Sequence, residues 1–343
     1  MTGPGGPVRS PGLPLLAVRA GTRAGAAAAS ALARRALRGP RKAGWPLALE
    51  LLCDAQRAAL RVLVRAEPAA ARALVERALA RGRPDPGVAR TPVRPGGVPA
   101  ERFTGPGAGA DAPVVLYFHG GGFAFGSPRT HAELTAELAR RVPAEVVSVD
   151  YRLAPEHPHP AALDDAVAVF RGLRSLGADP RRVVVGGDSA GGGLTLALLQ
   201  RLRDGAEPLP AGAFLISPWV DLACRGDSFE RNRATDYLDA GMLAVWSERY
   251  RAGRDPADPA VSPLRGELAG LPPLRILAGE AEVLRDSIAE LARKAKRAGT
   301  PVECDFAPGM PHDWPLLLGI APDAERALDE LAGFVRRHGR DAT

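Results

Sequence analysis

The sequence predicts an α/β fold, with a mostly parallel central sheet, helices on both faces and a helical cap. Three observations predict it. From residue 113 onward, short apolar runs alternate with amphipathic stretches, the pattern of strand–helix–strand units. The run Val114–Phe118 is apolar throughout and glycines follow it at once, as in a strand buried on both faces. Residues 221–263 interrupt the alternation with polar, proline-containing and helical material, which reads as an insertion. A chain of 343 residues buries a core large enough to need no disulfide or metal.

The elements follow in order. Residues 1–44 are rich in Gly, Pro, Ala and Arg and are expected to be mobile, with a helix over Ala26–Arg38. Residues 46–66 form an amphipathic helix. Leu49, Leu52, Ala59, Leu60 and Leu63 make its apolar stripe, while Asp54, Arg57, Arg61 and Arg65 line another face. Pro68 opens a second helix and Gly82 closes it. Residues 45–100 are thus two helices and a linker, and residues 83–112 are a Pro/Gly-rich link with one short strand. The main domain, residues 101–343, then supplies strands at Val114–Phe118, Glu145–Val149, Arg182–Val185, Ala213–Ile216, Leu274–Leu277 and Val302–Phe306. Helices are expected over Thr130–Arg141, Ala161–Leu176, Gly191–Arg203, Ser287–Ala298 and Ala324–His338.

The charge is uneven. Residues 1–100 carry 17 basic and 5 acidic side chains, whereas residues 101–343 carry 28 and 34. Only three of the basic residues are lysines: Lys42, Lys294 and Lys296. A basic N-terminal third can touch a membrane surface or nucleic acid. No zinc-finger, basic-zipper or RNA-binding signature accompanies the arginines, so no nucleic-acid partner is expected. Cys53, Cys224 and Cys304 are far apart and odd in number, which points to a reducing compartment and gives no metal spacing. No stretch of 18 apolar residues is long enough to span a membrane, and the start lacks the hydrophobic run of a secretory leader. The location expected is cytoplasmic.

The chemistry sits in four places. Gly187-Asp188-Ser189-Ala190-Gly191 matches Gly-x-Ser-x-Gly between an apolar strand and an apolar helix. That context makes a sharp turn presenting Ser189 as a nucleophile, with helix amides pointing at the reacting centre. His119-Gly120-Gly121-Gly122 follows the first buried strand. Amides of Gly120 and Gly121, with that of Ala190, are expected to hold an oxyanion, each lowering a barrier by roughly 3–4 kcal/mol. Ser189 needs a base. In a fold with this turn the chain order is serine, acid, histidine, and only His312 and His338 follow Ser189. His338 lies in a charged helix end, so His312, in a turn-rich loop, is the base. The acid belongs on the loop after Leu274–Leu277, where Glu280, Glu282 and Asp286 compete. Ser287-Ile288-Ala289-Glu290 reads as a capping box, which places Asp286 at a helix entrance and favours Glu282.

These motifs identify a resemblance. The chain resembles bacterial esterases of the hormone-sensitive-lipase family within the α/β-hydrolase superfamily. The resemblance rests on His119–Phe123, Asp150–His157, Gly187–Gly192, Ser217–Leu222, Ser262-Pro263-Leu264, Gly270–Pro273 and Gly309–His312, covering about residues 100–320. It implies an α/β-hydrolase fold, catalytic roles for Ser189 and His312, and an oxyanion loop at His119–Gly122. The family's acid is usually an Asp in Asp-x-Leu-x-Asp. Here Glu282-Val283-Leu284-Arg285-Asp286 places Glu there, and Glu is a competent triad acid. The resemblance further implies that the N-terminal helices and residues 221–263 cap the pocket, which Phe123, Phe125, Trp219 and Trp314 are candidates to line. The Arg152/Glu156 pair is expected to brace a loop nearby.

The function expected is a serine carboxylic-ester hydrolase working through an acyl-enzyme on short-to-medium acyl esters, with no cofactor. Its partner is the small ester itself, and a homodimer and a membrane contact through the basic N-terminus are secondary expectations. A catalytically silent small-ligand receptor on the same scaffold, or an amide or lactone hydrolase, is the alternative.

Overall fold

The structure, a computed structural model, describes residues 13–80, 87–109 and 111–339. Its sheet contains β1 (Ala89–Val93), β2 (Ala100–Thr104), β3 (Val114–Phe118), β4 (Glu145–Val149), β5 (Val183–Asp188), β6 (Gly212–Ile216), β7 (Leu274–Gly279) and β8 (Val302–Ala307). They lie in the order β1-β2-β4-β3-β5-β6-β7-β8. β1 and β2 are antiparallel additions, and every pairing from β4 to β8 is parallel. β5, β6 and β7 are buried along their whole length, which is why, apart from Asp188 at the end of β5 and Arg275 in β7, their sequences are apolar or glycine.

The helices are α1 (Leu13–Arg38), α2 (Leu47–Leu63), α3 (Pro68–Leu79), α4 (Ala132–Arg141), α5 (Ala161–Ser175), α6 (Ser189–Asp204), α7 (Ser228–Arg231), α8 (Ala240–Arg251), α9 (Arg285–Arg297) and α10 (Ala324–His338). α5 packs on α6, and α10 packs on α4. Register sets where the chemistry falls. Phe118 of β3 lies opposite Gly187 of β5, and Ile216 of β6 lies opposite Asp188 and Leu277. The loops after β3, β5, β6 and β7 therefore leave the same edge of the sheet, where α/β folds place their ligands.

Several elements depart from the sequence reading. α1 begins at Leu13 and packs on α2 and α3, in place of a mobile segment with a helix from Ala26. Its Arg34 and Arg35, with Arg41 beyond its end, pair with Glu50 of α2, which is fully buried. The remainder of the expected mobile segment, residues 1–12, and Gly82 lie outside the described residues. The start of α3 is capped by Glu67, whose carboxylate accepts from the amides of Ala69 and Ala70 at 3.0 and 2.8 Å. The link before β3 holds two strands, not one. α9 begins at Arg285, so the expected capping box at Ser287 does not form. The Ser287 hydroxyl instead donates to the Leu284 carbonyl at 2.8 Å.

Candidate active site

Ser189 stands where β5 turns into α6. Its φ of 50° is a left-handed conformation that costs an L-residue energy. The turn persists because it is wedged against the end of β3. A Cβ on Gly191 would stand 2.0 Å from the Phe118 carbonyl oxygen, so only glycine admits that approach. The Ser189 carbonyl accepts from the Trp219 amide at 2.8 Å, tying the turn to the loop after β6.

His312 follows β8 through a turn in which the Met310 amide donates to the Ala307 carbonyl at 3.2 Å and the Met310 carbonyl accepts from Ala281 at 2.9 Å. The Trp45 indole, just before α2, donates to the Gly309 carbonyl at 2.7 Å. These contacts bring His312 Nε2 to 2.9 Å from Ser189 Oγ, with both residues buried. Glu282, on the loop after β7, has no exposed surface. Its Oε2 accepts from the Ser217 hydroxyl at 2.6 Å and from the Gly279 amide at 3.0 Å, and lies 4.0 Å from His312 Nδ1. Among the described residues, neither Glu282 Oε1 nor His312 Nδ1 has a hydrogen-bond partner. Asp286 is occupied elsewhere, accepting from the Ser228 amide at 2.9 Å and from Arg231 at 2.8 Å. Glu280 is exposed.

Two carboxylates near His312 had no assigned role in the sequence. Asp313 Oδ2 lies 3.0 Å from His312 Nε2, the nitrogen that also meets Ser189. Asp313 has φ 49°, and its amide donates to Ser217 Oγ at 3.1 Å. Asp236, fully buried in the insertion, accepts from the Val283 amide at 2.6 Å and from the His312 amide at 3.4 Å. Burial would push the His312 ring below its usual value, but Asp313, Glu282 and Asp236 outweigh it and hold the ring well above. Burial pushes Glu282 up to about 8. Adjacency in the chain was the only signal for Asp313, and nothing in the local pattern marked Asp236.

The oxyanion loop needs one correction. The Gly120 amide donates to Asp188 Oδ1 at 2.9 Å, so it is turned away from the role expected of it. Asp188 also accepts from the Tyr117 hydroxyl at 2.5 Å and lies 3.5 Å from His131 Nε2. This buried carboxylate, next to Ser189 in the chain, fastens the glycine loop to the turn that carries Ser189. No hydrogen-bond partner is found among the described residues for the amides of Gly121, Gly122 or Ala190. Gly122 has φ 60°, and a Cβ there would meet the Trp246 ring of α8 at 2.8 Å. The insertion thus presses directly on the loop.

His119 orients that loop. Its Nδ1 lies 2.8 Å from the Gly120 carbonyl; a carbonyl only accepts, so the ring proton sits on Nδ1. Burial first, and then His131, hold the ring down to about 3, which keeps it neutral. It stacks on Tyr151 at 4.3 Å, and the Tyr151 hydroxyl donates to the His119 carbonyl at 2.6 Å. Tyr151 opens a segment that had no derivable purpose in the sequence. Arg152 and Glu156 do brace this region, but not with each other. Arg152 pairs with Asp165 at 2.7 Å, and Glu156 pairs with Arg72 of α3 at 2.5 Å. Among the aromatic candidates, Phe123 stacks on Tyr250 at 3.7 Å, Phe125 meets Trp246 edge-on at 5.4 Å, and Trp219 and Trp314 are buried. A separate recess of about 780 Å³ is lined by Arg34, Arg41, Arg57, Arg61 and Arg233 with Glu230 and Asp239. No catalytic candidate lines it. No helix among the described residues is long and apolar enough to cross a membrane.

The chain is similar to known ester hydrolases in sequence and in fold. Residues 115–316 match the family described as alpha/beta hydrolase fold. An acetyl-hydrolase of Streptomyces hygroscopicus is 46% identical over 227 residues, covering 66% of this chain and 76% of its own length. An esterase of Acinetobacter venetianus is 35% identical over 252 residues, covering 73% and 82%. The crystal structure of an esterase from the bacterial hormone-sensitive lipase family superposes with a TM-score of 0.77 at 34% identity, covering 97% of this chain and 100% of that one.

Proposed function

The chain belongs to the hormone-sensitive-lipase family of α/β hydrolases and is a serine carboxylic-ester hydrolase; from that premise we propose which of its atoms carry the reaction and on what esters. Ser189 Oγ attacks the ester carbonyl while His312 Nε2 takes its proton. The carbonyl oxygen becomes an oxyanion facing the amides of Gly121, Gly122 and Ala190. Each such donor is worth roughly 3–4 kcal/mol of barrier. The tetrahedral adduct collapses, His312 returns the proton to the leaving alcohol, and an acyl-serine remains. Water, deprotonated by His312, then repeats the sequence and frees the acid. Glu282 orients the ring through Nδ1 and balances its positive charge.

The observation that carries this reading is the 2.9 Å approach of His312 Nε2 to Ser189 Oγ, within the range a general base requires. The acyl group proposed is short to medium. The supporting observation is how closely α8 stands on the oxyanion loop at Gly122 and Phe125. Residues 221–263, with the N-terminal helices, are the cap in this reading. A fluorophosphonate probe tests the assignment: it should label the wild-type chain at Ser189 and leave Ser189→Ala unlabelled. Labelling elsewhere would remove Ser189 from the role. A series of p-nitrophenyl esters should show turnover falling as the acyl chain lengthens beyond medium size.

A further inference from the structure

We propose that the outward face of α1 docks this enzyme on an anionic lipid surface. α1 is 26 residues long and contains five arginines and no acidic residue. One side of it is spoken for: Ala20 and Ala31 are buried, and Arg34 and Arg35 pair with Glu50 of α2. Among the described residues, nothing covers the opposite side. Leu15, Val18, Leu32 and Leu37 are 61%, 63%, 51% and 84% exposed, and Ala29 and Ala33 between them are exposed too. At 3.6 residues per turn these six positions fall within an arc of roughly 140°. Among the described residues only Leu47, Leu79 and Leu176 are other large hydrophobic side chains of comparable exposure. Single exposed leucines are ordinary, but a row of them along one helix marks a contact surface.

Charge selects the occupant. Arg19 and Arg23 border this face and are exposed, as is Arg38 at its end. Residues 1–44 together hold eight basic and no acidic side chains. Two copies of the chain meeting through this face would bring like charges together. A leaflet containing anionic lipid would meet both the apolar row and its arginine border. The helix is too polar to cross a membrane, so it would lie in the interface plane. Its C-terminal end leads to Arg41, which bonds to the Ala234 carbonyl of the insertion. Docking would therefore set the cap beside a phase where lipophilic esters partition. That benefit rests on the esterase reading; the docking itself does not, and the two are measured separately.

The experiment uses the full chain and sedimentable vesicles, one set of phosphatidylcholine alone and one with about a quarter phosphatidylglycerol. Binding to the anionic set should exceed binding to the neutral set by about tenfold and weaken in high salt. Leu32→Gln with Leu37→Gln should lower partitioning about tenfold, and Arg19→Gln with Arg23→Gln should remove most of the salt sensitivity. All four side chains are exposed, so hydrolysis of soluble p-nitrophenyl acetate should be unchanged. Absence of binding to the anionic vesicles overturns the proposal. So does equal binding by the leucine variant, or a solution dimer that this variant dissociates while vesicle binding is absent. Loss of ester hydrolysis in every variant and in wild type, with vesicle binding intact, would strike the esterase assignment alone.

Discussion

At the scale of single residues, the site concentrates negative charge around one imidazole. Glu282, Asp313 and Asp236 all face His312 from different directions: the loop after β7, its own chain neighbour, and the insertion. A base must be neutral to accept the Ser189 proton, and these carboxylates raise the pH at which the ring becomes neutral. Activity should therefore rise as pH climbs through a value above the ordinary imidazole range of about 6.5. Asp313→Asn removes a carboxylate that competes for Nε2, and the acidic limb of kcat/KM should move down. A limb unmoved by this change would show that Asp313 does not tune the base. The Tyr237 ring, 5.7 Å away, and the Asp188–His131 pair behind are left intact by that substitution. For the acid, Glu282→Gln should lower kcat by about 10³–10⁴, because the neutral amide cannot hold the ring in its working tautomer. Asp286→Asn should stay within about threefold, since Asp286 serves Ser228 and Arg231 at the cap side. The opposite ranking would reassign the acid.

At the scale of elements, the insertion is hydrogen-bonded to the loops that carry Glu282 and His312. Asp236 accepts from the amide of Val283, next to Glu282, and from that of His312. Arg57 of α2 in turn grips the Asp236 carbonyl at 2.8 Å through its Nε. One turn thus joins α2, the Glu282 loop and the His312 loop. Asp236→Asn keeps the shape but weakens charge-assisted bonds to both amides, each worth about 1.5–3 kcal/mol. We expect kcat to fall about tenfold, KM to change little, and the far-ultraviolet circular dichroism to stay the same; an unchanged kcat would make the turn merely architectural. Such a residue was illegible in the sequence because its partners lie about 47 and 76 positions away and are backbone amides. Ser189 and His312 were legible because their flanks carry turn chemistry and because the fold imposes a chain order. The central strands were legible from apolar runs. Of β1 and β2 only one strand was legible: Pro92, Pro95 and Pro99 interrupt the segment, and β1 is an edge strand whose side chains are mostly exposed. The Gly120 assignment failed for a related reason. A glycine loop announces close approach, but only the position of Asp188 decides which amide is already taken.

At the scale of the molecule, the first 44 residues should fold as one unit with the chain that follows them, and Glu50 is the test of it. Its carboxylate has no exposed surface, and its partners Arg34, Arg35 and Arg41 all come from the first 44 residues. A buried pair of charges is weakly stabilising as a pair, yet removing one side strands the other at a cost of about 3–5 kcal/mol. Deleting residues 1–44 should therefore do more than lose a helix. It should leave the Glu50 carboxylate without a counter-charge beside Leu49 and Cys53, which are buried in the same core, and lower the melting temperature by about 4–8 °C for a chain this large. Glu50→Gln distinguishes this from simple loss of packing. In the full chain it should destabilise, because three guanidinium groups lose their counter-charge. In the truncated chain it should stabilise, because no carboxylate is left stranded. That reversal of sign, read by thermal unfolding of four proteins, is the double-mutant signature of coupling between the arms of the chain. Two substitutions with effects of the same sign would mean that α1 rests on the domain without being part of it. The Trp45 bond to the Gly309 carbonyl survives the deletion, so turnover per folded molecule should change less than stability does.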